Sequence, residues 1–221
     1  MNENKNLDNV IIIVIMLTLV VVVFNTFGIN SIKGASITGM AVQETTQGIN
    51  TLGSNAVDVI PKGIPDVYGK ELGVSFDDIS AANPGKADAT IRKLGVLDQQ
   101  ITLTGDNLER YITIVSKISC EYCCGAESII FENGQAACGC AHSFAMRGLA
   151  KYLIKEHGNE FSDDEILEEM GKWKTLFFPG QITQKASVLK EQGIELNYIN
   201  LASNKYRGIE QGATGNMVGG C

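Results

Sequence analysis

Residues 119–142 read SCEYCCGAESIIFENGQAACGCAH. Five of the six cysteines fall here: Cys120, Cys123 and Cys124 at the start, Cys138 and Cys140 at the end, with His142 two residues on. Between the clusters lie an apolar run at 128–131, the dipeptide Asn133-Gly134, and a second short run at 135–137. Asn-Gly between two β-competent runs predicts a tight hairpin turn with φ > 0 at both positions. A tight hairpin returns its second arm beside its first, which gathers four or more sulfurs at one point. Tetrahedral Zn²⁺ takes that donor set from two short loops. The expected fold is mainly α, built around a small, zinc-ribbon-like cysteine β-hairpin.

Helical patterns flank the hairpin on both sides. Before it, Asp106 opens a pattern with Glu109 at capping-box spacing. Leu108, Tyr111, Ile112, Val115 and Ile118 form its stripe, which should deliver Cys120 at the helix end. After it, 143–157 has an apolar face of Ala145, Leu149, Tyr152 and Leu153, with Gly148 permitting a close neighbour and Gly158 following as a C′ residue. Ser162 and Glu165 form a second capping box. Ile166, Leu167, Met170, Trp173 and Phe177 then run as one stripe to a stop at Pro179. Residues 182–192 predict a third helix closed by Gly193, and 194–201 a strand. Upstream, 57–60 and 101–103 look strand-like, while 68–72, 76–79 and 87–94 look like short helical pieces.

The remainder divides by composition into a polar tail (1–9), an apolar run (10–29), a Gly, Ser, Thr, Gln and Asn-rich tether (30–65), the cysteine-rich domain (66–202) and a loose glycine-rich tail (203–221). Residues 10–24 are VIIIVIMLTLVVVVF, and with 25–29 they reach the roughly 20 residues needed to cross a bilayer. The expectation is a retained single-pass membrane anchor with the large domain outside the cytoplasm. A signal peptide would carry more positive charge than Lys5 alone. A net charge of -7 and the lack of any Lys/Arg run exclude an electrostatic footprint for nucleic acid. No Ser-His-Asp pattern, phosphate loop or HExxH points to a reaction.

The candidate metal ligands are Cys120, Cys123, Cys124, Cys138, Cys140 and His142, with zinc as the first cofactor to consider. His142 can reach the same centre as Cys140, or cap backbone amides at a helix start. Cys140, just before a helix, should be biased toward thiolate. That bias suits metal ligation and redox chemistry alike, so three readings stay open. One is a metal centre with a structural, metal-handling or partner-binding role; another is a thiol-disulfide oxidoreductase at the membrane surface; the third is a disulfide-stapled envelope module. Arg147 reads as a surface cation, Trp173 and Tyr152 as core, and Asp163, Asp164, Glu165, Glu168 and Glu169 as solvated, dipole-favoured acids.

CEYCCGA followed by CGCAHSFAMRGLAKYL resembles uncharacterised membrane-anchored, cysteine-rich archaeal proteins, to which the SITGMAV stretch after the anchor is also similar. This likeness covers the anchor and most of 68–192, and implies membrane attachment without an activity. A looser likeness is to the helical thiol-reductase module of cytochrome c maturation. There a CxxC precedes a helix, followed by a glycine and an S-x-x-E-I helix start; Gly158 and Ser162-Asp163-Asp164-Glu165-Ile166 are similar. This chain instead has CxCxH before the first helix and adds the hairpin. That resemblance implies Cys138 and Cys140 as a redox pair.

Overall fold

The computed structural model describes residues 58–220. The anchor expected at 10–29, the residues before it, the tether as far as 57, and Cys221 lie outside them. Among the described residues no helix is long and apolar enough to cross a membrane.

The chain is mainly helical. Its elements are α1 (Gly69–Leu72), a 3-10 turn (Phe76–Asp78), α2 (Pro84–Gln100), α3 (Gly105–Val115), α4 (Ala141–His157), α5 (Asp163–Phe177), α6 (Pro179–Glu191), α7 (Tyr198–Ala202) and a 3-10 turn (Asn204–Tyr206). No β-strand forms among the described residues; isolated bridges join Ile118 to Ser203 and Ile130 to Ala136.

Helix α2 is longer than the pattern at 87–94 predicts. Asn83 caps it by accepting from the Lys86 N–H, and Pro84 occupies its first turn, where a missing N–H is harmless. Its buried stripe of Ala87, Thr90, Ile91 and Leu94 lies against α4, and this is the largest helix interface in the fold. Glycine decides how close the two helices come. A Cβ on Gly148 would stand 2.0 Å from the Leu94 carbonyl oxygen, so the helices meet backbone to backbone. Helix α5 packs on α3, α4 and α7. Its expected stripe is fully buried around Trp173, whose indole N–H donates to Tyr68 Oη at 2.8 Å. The capping box of Ser162 and Glu165 forms as the spacing predicts. Pro179 both ends α5 and opens α6.

Several expectations are corrected. Thr104, one residue outside α3, is its N-cap and makes no side-chain capping bond, so Asp106 sits inside the first turn and closes no box. Helix α3 ends at Val115, five residues short of Cys120. Gly158 keeps a right-handed φ of -61° as the C-cap of α4. Residues 58–60 and 101–103 form no strand. In place of a strand at 194–201, Asn197 accepts from the Asn200 N–H and starts α7. Residues 58–65, expected in the tether, pack on the domain: Val59 is buried, and the Gly63 carbonyl accepts from the Phe76 N–H and the Ser75 hydroxyl. The glycine-rich stretch after 203 is docked, because Val218 is buried and its N–H donates to the Phe177 carbonyl at 2.9 Å.

Candidate metal centre

The stretch between the cysteine clusters doubles back, but through a different turn from the expected one. The Gly134 N–H donates to the Phe131 carbonyl at 2.9 Å and the Phe131 N–H to the Gln135 carbonyl at 2.8 Å. Only Gly134, at φ +80°, is left-handed; Asn133 is not, and its side chain accepts from the Gln135 N–H instead. A single bridge, Ile130 to Ala136, with a bond from the Ala137 N–H to the Ile129 carbonyl, then carries Cys138 back toward Cys120.

Each arm is held from behind. On the second, the Cys138 carbonyl accepts from Ser143 Oγ at 2.9 Å and Arg147 Nη1 at 2.8 Å. Arg147 is not the surface cation expected. Its side chain is 1% exposed, its Nε pairs with Asp98 at 2.8 Å, and its Nη1 also reaches the Ile129 carbonyl. On the first arm, Glu121 takes a left-handed φ of +52°, alone among the described non-glycine residues. Its carboxylate accepts from Lys174 Nζ at 2.9 Å, Lys185 Nζ at 3.3 Å and the Gly208 N–H at 2.8 Å. These contacts fix an otherwise unfavourable backbone between Cys120 and Cys123. Both lysines are shut off from solvent, and Lys185 also faces Glu210 at 3.6 Å. Tyr122 donates from its hydroxyl to Glu210.

Three of the six predicted ligands meet. The sulfurs of Cys120, Cys138 and Cys140 all lie within 4.8 Å of one another and could hold a metal ion. Cys120 and Cys140 are 3.3 Å apart, Cys138 and Cys140 3.6 Å. Zn–S bonds of about 2.3 Å in a tetrahedron imply sulfur separations of about 3.8 Å, and these two separations are near that edge length. Cys124 joins through Cys138, at 2.7 Å, and is exposed. Cys123 is partly buried and lies outside the triad.

His142 is fully buried and also outside the triad. Its ring packs against Phe177 and Phe178, at centroid distances of 4.7 and 5.1 Å. Its Nε2 meets the Val218 carbonyl at 2.9 Å, and it also hydrogen-bonds the Cys140 sulfur. It therefore joins the docked C-terminal segment to the cysteine cluster.

The thiols do not ionise alike. Cys140 is the N-cap of α4, and its sulfur accepts from the Ser143 N–H. Its pKa falls well below the ordinary thiol value, first because Cys120 donates to it, then through His142 and Ser143. Cys120 is pushed up by the same bond and by burial, and Cys138 by burial and by Cys124. One thiolate shared among protonated sulfurs is a soft donor set that a metal would complete by displacing protons. Burial lowers Lys174 to about 8, although the Glu121 charge opposes the shift.

Glu121, Arg147, Asp98, Lys174, Lys185, Glu210 and Val218 belong to this architecture, and sequence reasoning did not assign them to it. For the lysines a signal existed: Lys185 falls on the stripe of Ile182, Ala186 and Leu189, where a solvated lysine has no place. No family model, curated protein or solved structure matches this chain.

Proposed function

We propose that this chain is a membrane-tethered metal-binding protein whose domain takes one soft ion, zinc first, on Cys120, Cys138 and Cys140. The observation that carries the reading is the convergence of three sulfurs within 4.8 Å on two arms held by buried ion pairs. The triad supplies three donors to a tetrahedral ion, and an exchangeable fourth ligand would suit metal handling or capture of a partner's donor atom. Thiolates also select zinc and monovalent copper over harder ions. Tethering rests on the apolar run at 10–29. The domain's placement outside the cytoplasm rests on the form of a single N-terminal anchor ahead of one large domain, since Lys5 and Lys33 nearly cancel in the charge count.

Metal analysis of the anaerobically purified full-length chain, with thiol counting on the same sample, tests the centre. One equivalent of zinc is expected, lost in Cys120→Ser, Cys138→Ser and Cys140→Ser. Chelator should loosen the fold, since binding energy is also folding energy, while mild reductant should not. A metal-free, folded protein with one reversibly oxidised pair would overturn the reading. It would favour the thiol-disulfide oxidoreductase, for which the Cys140 thiolate beside Cys120 is the supporting observation.

A further inference from the structure

Cys124 differs from the triad in its setting. It is exposed, whereas Cys120 and Cys138 are buried, and its sulfur stands 2.7 Å from that of Cys138. This is closer than the 3.3 Å and 3.6 Å separations within the triad, and within about 1 Å of a disulfide bond length. Both backbones are pinned where the pair meets. Arg207 donates to the Gly125 carbonyl at 2.8 Å and to the Ala126 carbonyl at 3.0 Å, immediately after Cys124. Ser143 and Arg147 hold the Cys138 carbonyl on the other side. An accessible sulfur is thus fixed against a buried one that the metal needs.

We propose that Cys124 is an oxidation-sensing thiol that, on meeting hydrogen peroxide, forms a disulfide with Cys138 and so withdraws one of the three metal ligands. This rests on the metal-centre reading above. In the first step the Cys124 sulfur attacks one peroxide oxygen; the O–O bond breaks, water leaves, and a sulfenic acid remains. In the second, the Cys138 sulfur attacks the Cys124 sulfur, the S–O bond breaks, and the departing hydroxide takes a proton to become water. Two thiols and one peroxide become one disulfide and two waters, each sulfur giving up one electron. Of the triad only Cys120 and Cys140 then remain for the ion, and two of its sulfurs hold it far less tightly than three. A dithiol reductant reverses the bond by thiol-disulfide exchange and restores the site.

The test uses the full-length, zinc-loaded protein. Peroxide is added in steps while a chromogenic chelator reports free zinc and peptide mass mapping reports disulfides. One equivalent of zinc should appear in parallel with one Cys124–Cys138 linkage, and dithiothreitol with zinc should rebuild the site. Cys124→Ser should start with its full equivalent of zinc and release it at least about tenfold more slowly, since susceptibility follows thiol exposure. A Cys124→Ser protein that holds no zinc would make Cys124 a fixed ligand and overturn the sensing role. So would release at the wild-type rate, or a linkage mapped to another pair. Wild-type protein that never carries zinc yet forms the Cys124–Cys138 bond would overturn the metal centre itself, and gating with it.

Discussion

Lys174 Nζ lies 2.9 Å from Glu121 Oε2, with the lysine fully enclosed and the glutamate side chain 7% exposed. Glu121 follows Cys120 directly, so the pair fixes the backbone that aims the first triad sulfur. Lys174→Met would strand much of the Glu121 charge in a low-dielectric interior, for which about 3–5 kcal/mol of lost stability is expected. Lys174→Met combined with Glu121→Gln should recover part of that loss, because the stranded carboxylate is then gone and the enclosed Lys185 keeps Glu210, at 3.6 Å, as its counter-charge. Urea unfolding of the metal-loaded protein measures both variants. A single-variant loss below about 1 kcal/mol, the scale of an exposed pair, would contradict the burial argument.

Gly148 and Gly85 make a matched pair of tests for the α2–α4 contact. A Cβ at Gly148 would strike Leu94 backbone, which cannot swing aside as a side chain could. Gly148→Ala should cost about 3 kcal/mol or more, at the upper end of overpacking penalties. Gly85, in the first turn of α2, has nothing within 4 Å of a Cβ. Gly85→Ala should be neutral or stabilising by up to about 1 kcal/mol, since alanine favours helix. Thermal melts should therefore show a marked fall for Gly148→Ala and no fall for Gly85→Ala.

Arg147 tests whether the second arm is positioned through its carbonyl. Its Nε binds Asp98 while Nη1 binds the Cys138 and Ile129 carbonyls, a planar fork that a lysine ammonium cannot reproduce. Arg147→Lys should keep the charge but lower metal affinity by about 10–100-fold, the range typical of groups that orient metal ligands. Competition with a chelator of known affinity reads this directly, and an unchanged affinity would sever Arg147 from the site.

What the sequence revealed and what it hid follow from range. The stripe from Ile166 to Phe177, the box at Ser162 and the Gly148 contact are local periodicities or single-residue properties, and they were legible. The two cysteine clusters were legible as a gathering point because the turn between them is short. Glu121, Lys174, Lys185 and Glu210 meet only through the packing of four separate segments, so no spacing encodes their contact. The Asn-Gly turn departs in detail from the expected one because the Asn133 side chain accepts from the Gln135 N–H and only Gly134 is left-handed. The strand expected at 194–201 failed because the Asn197 side chain captures a local N–H and starts a helix. The docking of Val218 had no local signal at all.

His142 makes a prediction that separates anchoring from ligation. Its Nε2 contact with the Val218 carbonyl, together with the Phe177 and Phe178 rings, secures the last described segment to α4 and α5. His142→Ala should leave a cavity costing about 2–4 kcal/mol, release 213–220 to faster hydrogen exchange and proteolysis, and retain one equivalent of zinc. Loss of zinc with the C-terminal segment still protected would instead make His142 a ligand.

Alkaline pH should unfold the domain through its buried phenols. Burial, then the Glu169 charge, raises Tyr68; burial, then Asp98, raises Tyr111; burial, then the Glu210 hydrogen bond, raises Tyr122. In the unfolded chain these groups ionise near pH 10, whereas in the fold they stay protonated. The native state thus binds more protons above pH 10, and stability must fall as pH rises past that value. Lys174 acts in the opposite sense. Its value of about 8 lies below the unfolded one, so proton release from the native lysine adds stability between about pH 8 and 10.4. One lysine cannot offset three phenols, and Cys120 and Cys138 are raised as well. In the zinc-loaded protein, where the ion holds those thiols, stability should therefore hold or rise slightly to about pH 10 and then drop. Without metal the drop should begin at about pH 9. Tyrosinate absorbance and helical circular dichroism, followed on one sample, should therefore change in a single transition for these three residues. Complete ionisation of all six tyrosines near pH 10 with the helices intact would show that the phenols are open to solvent.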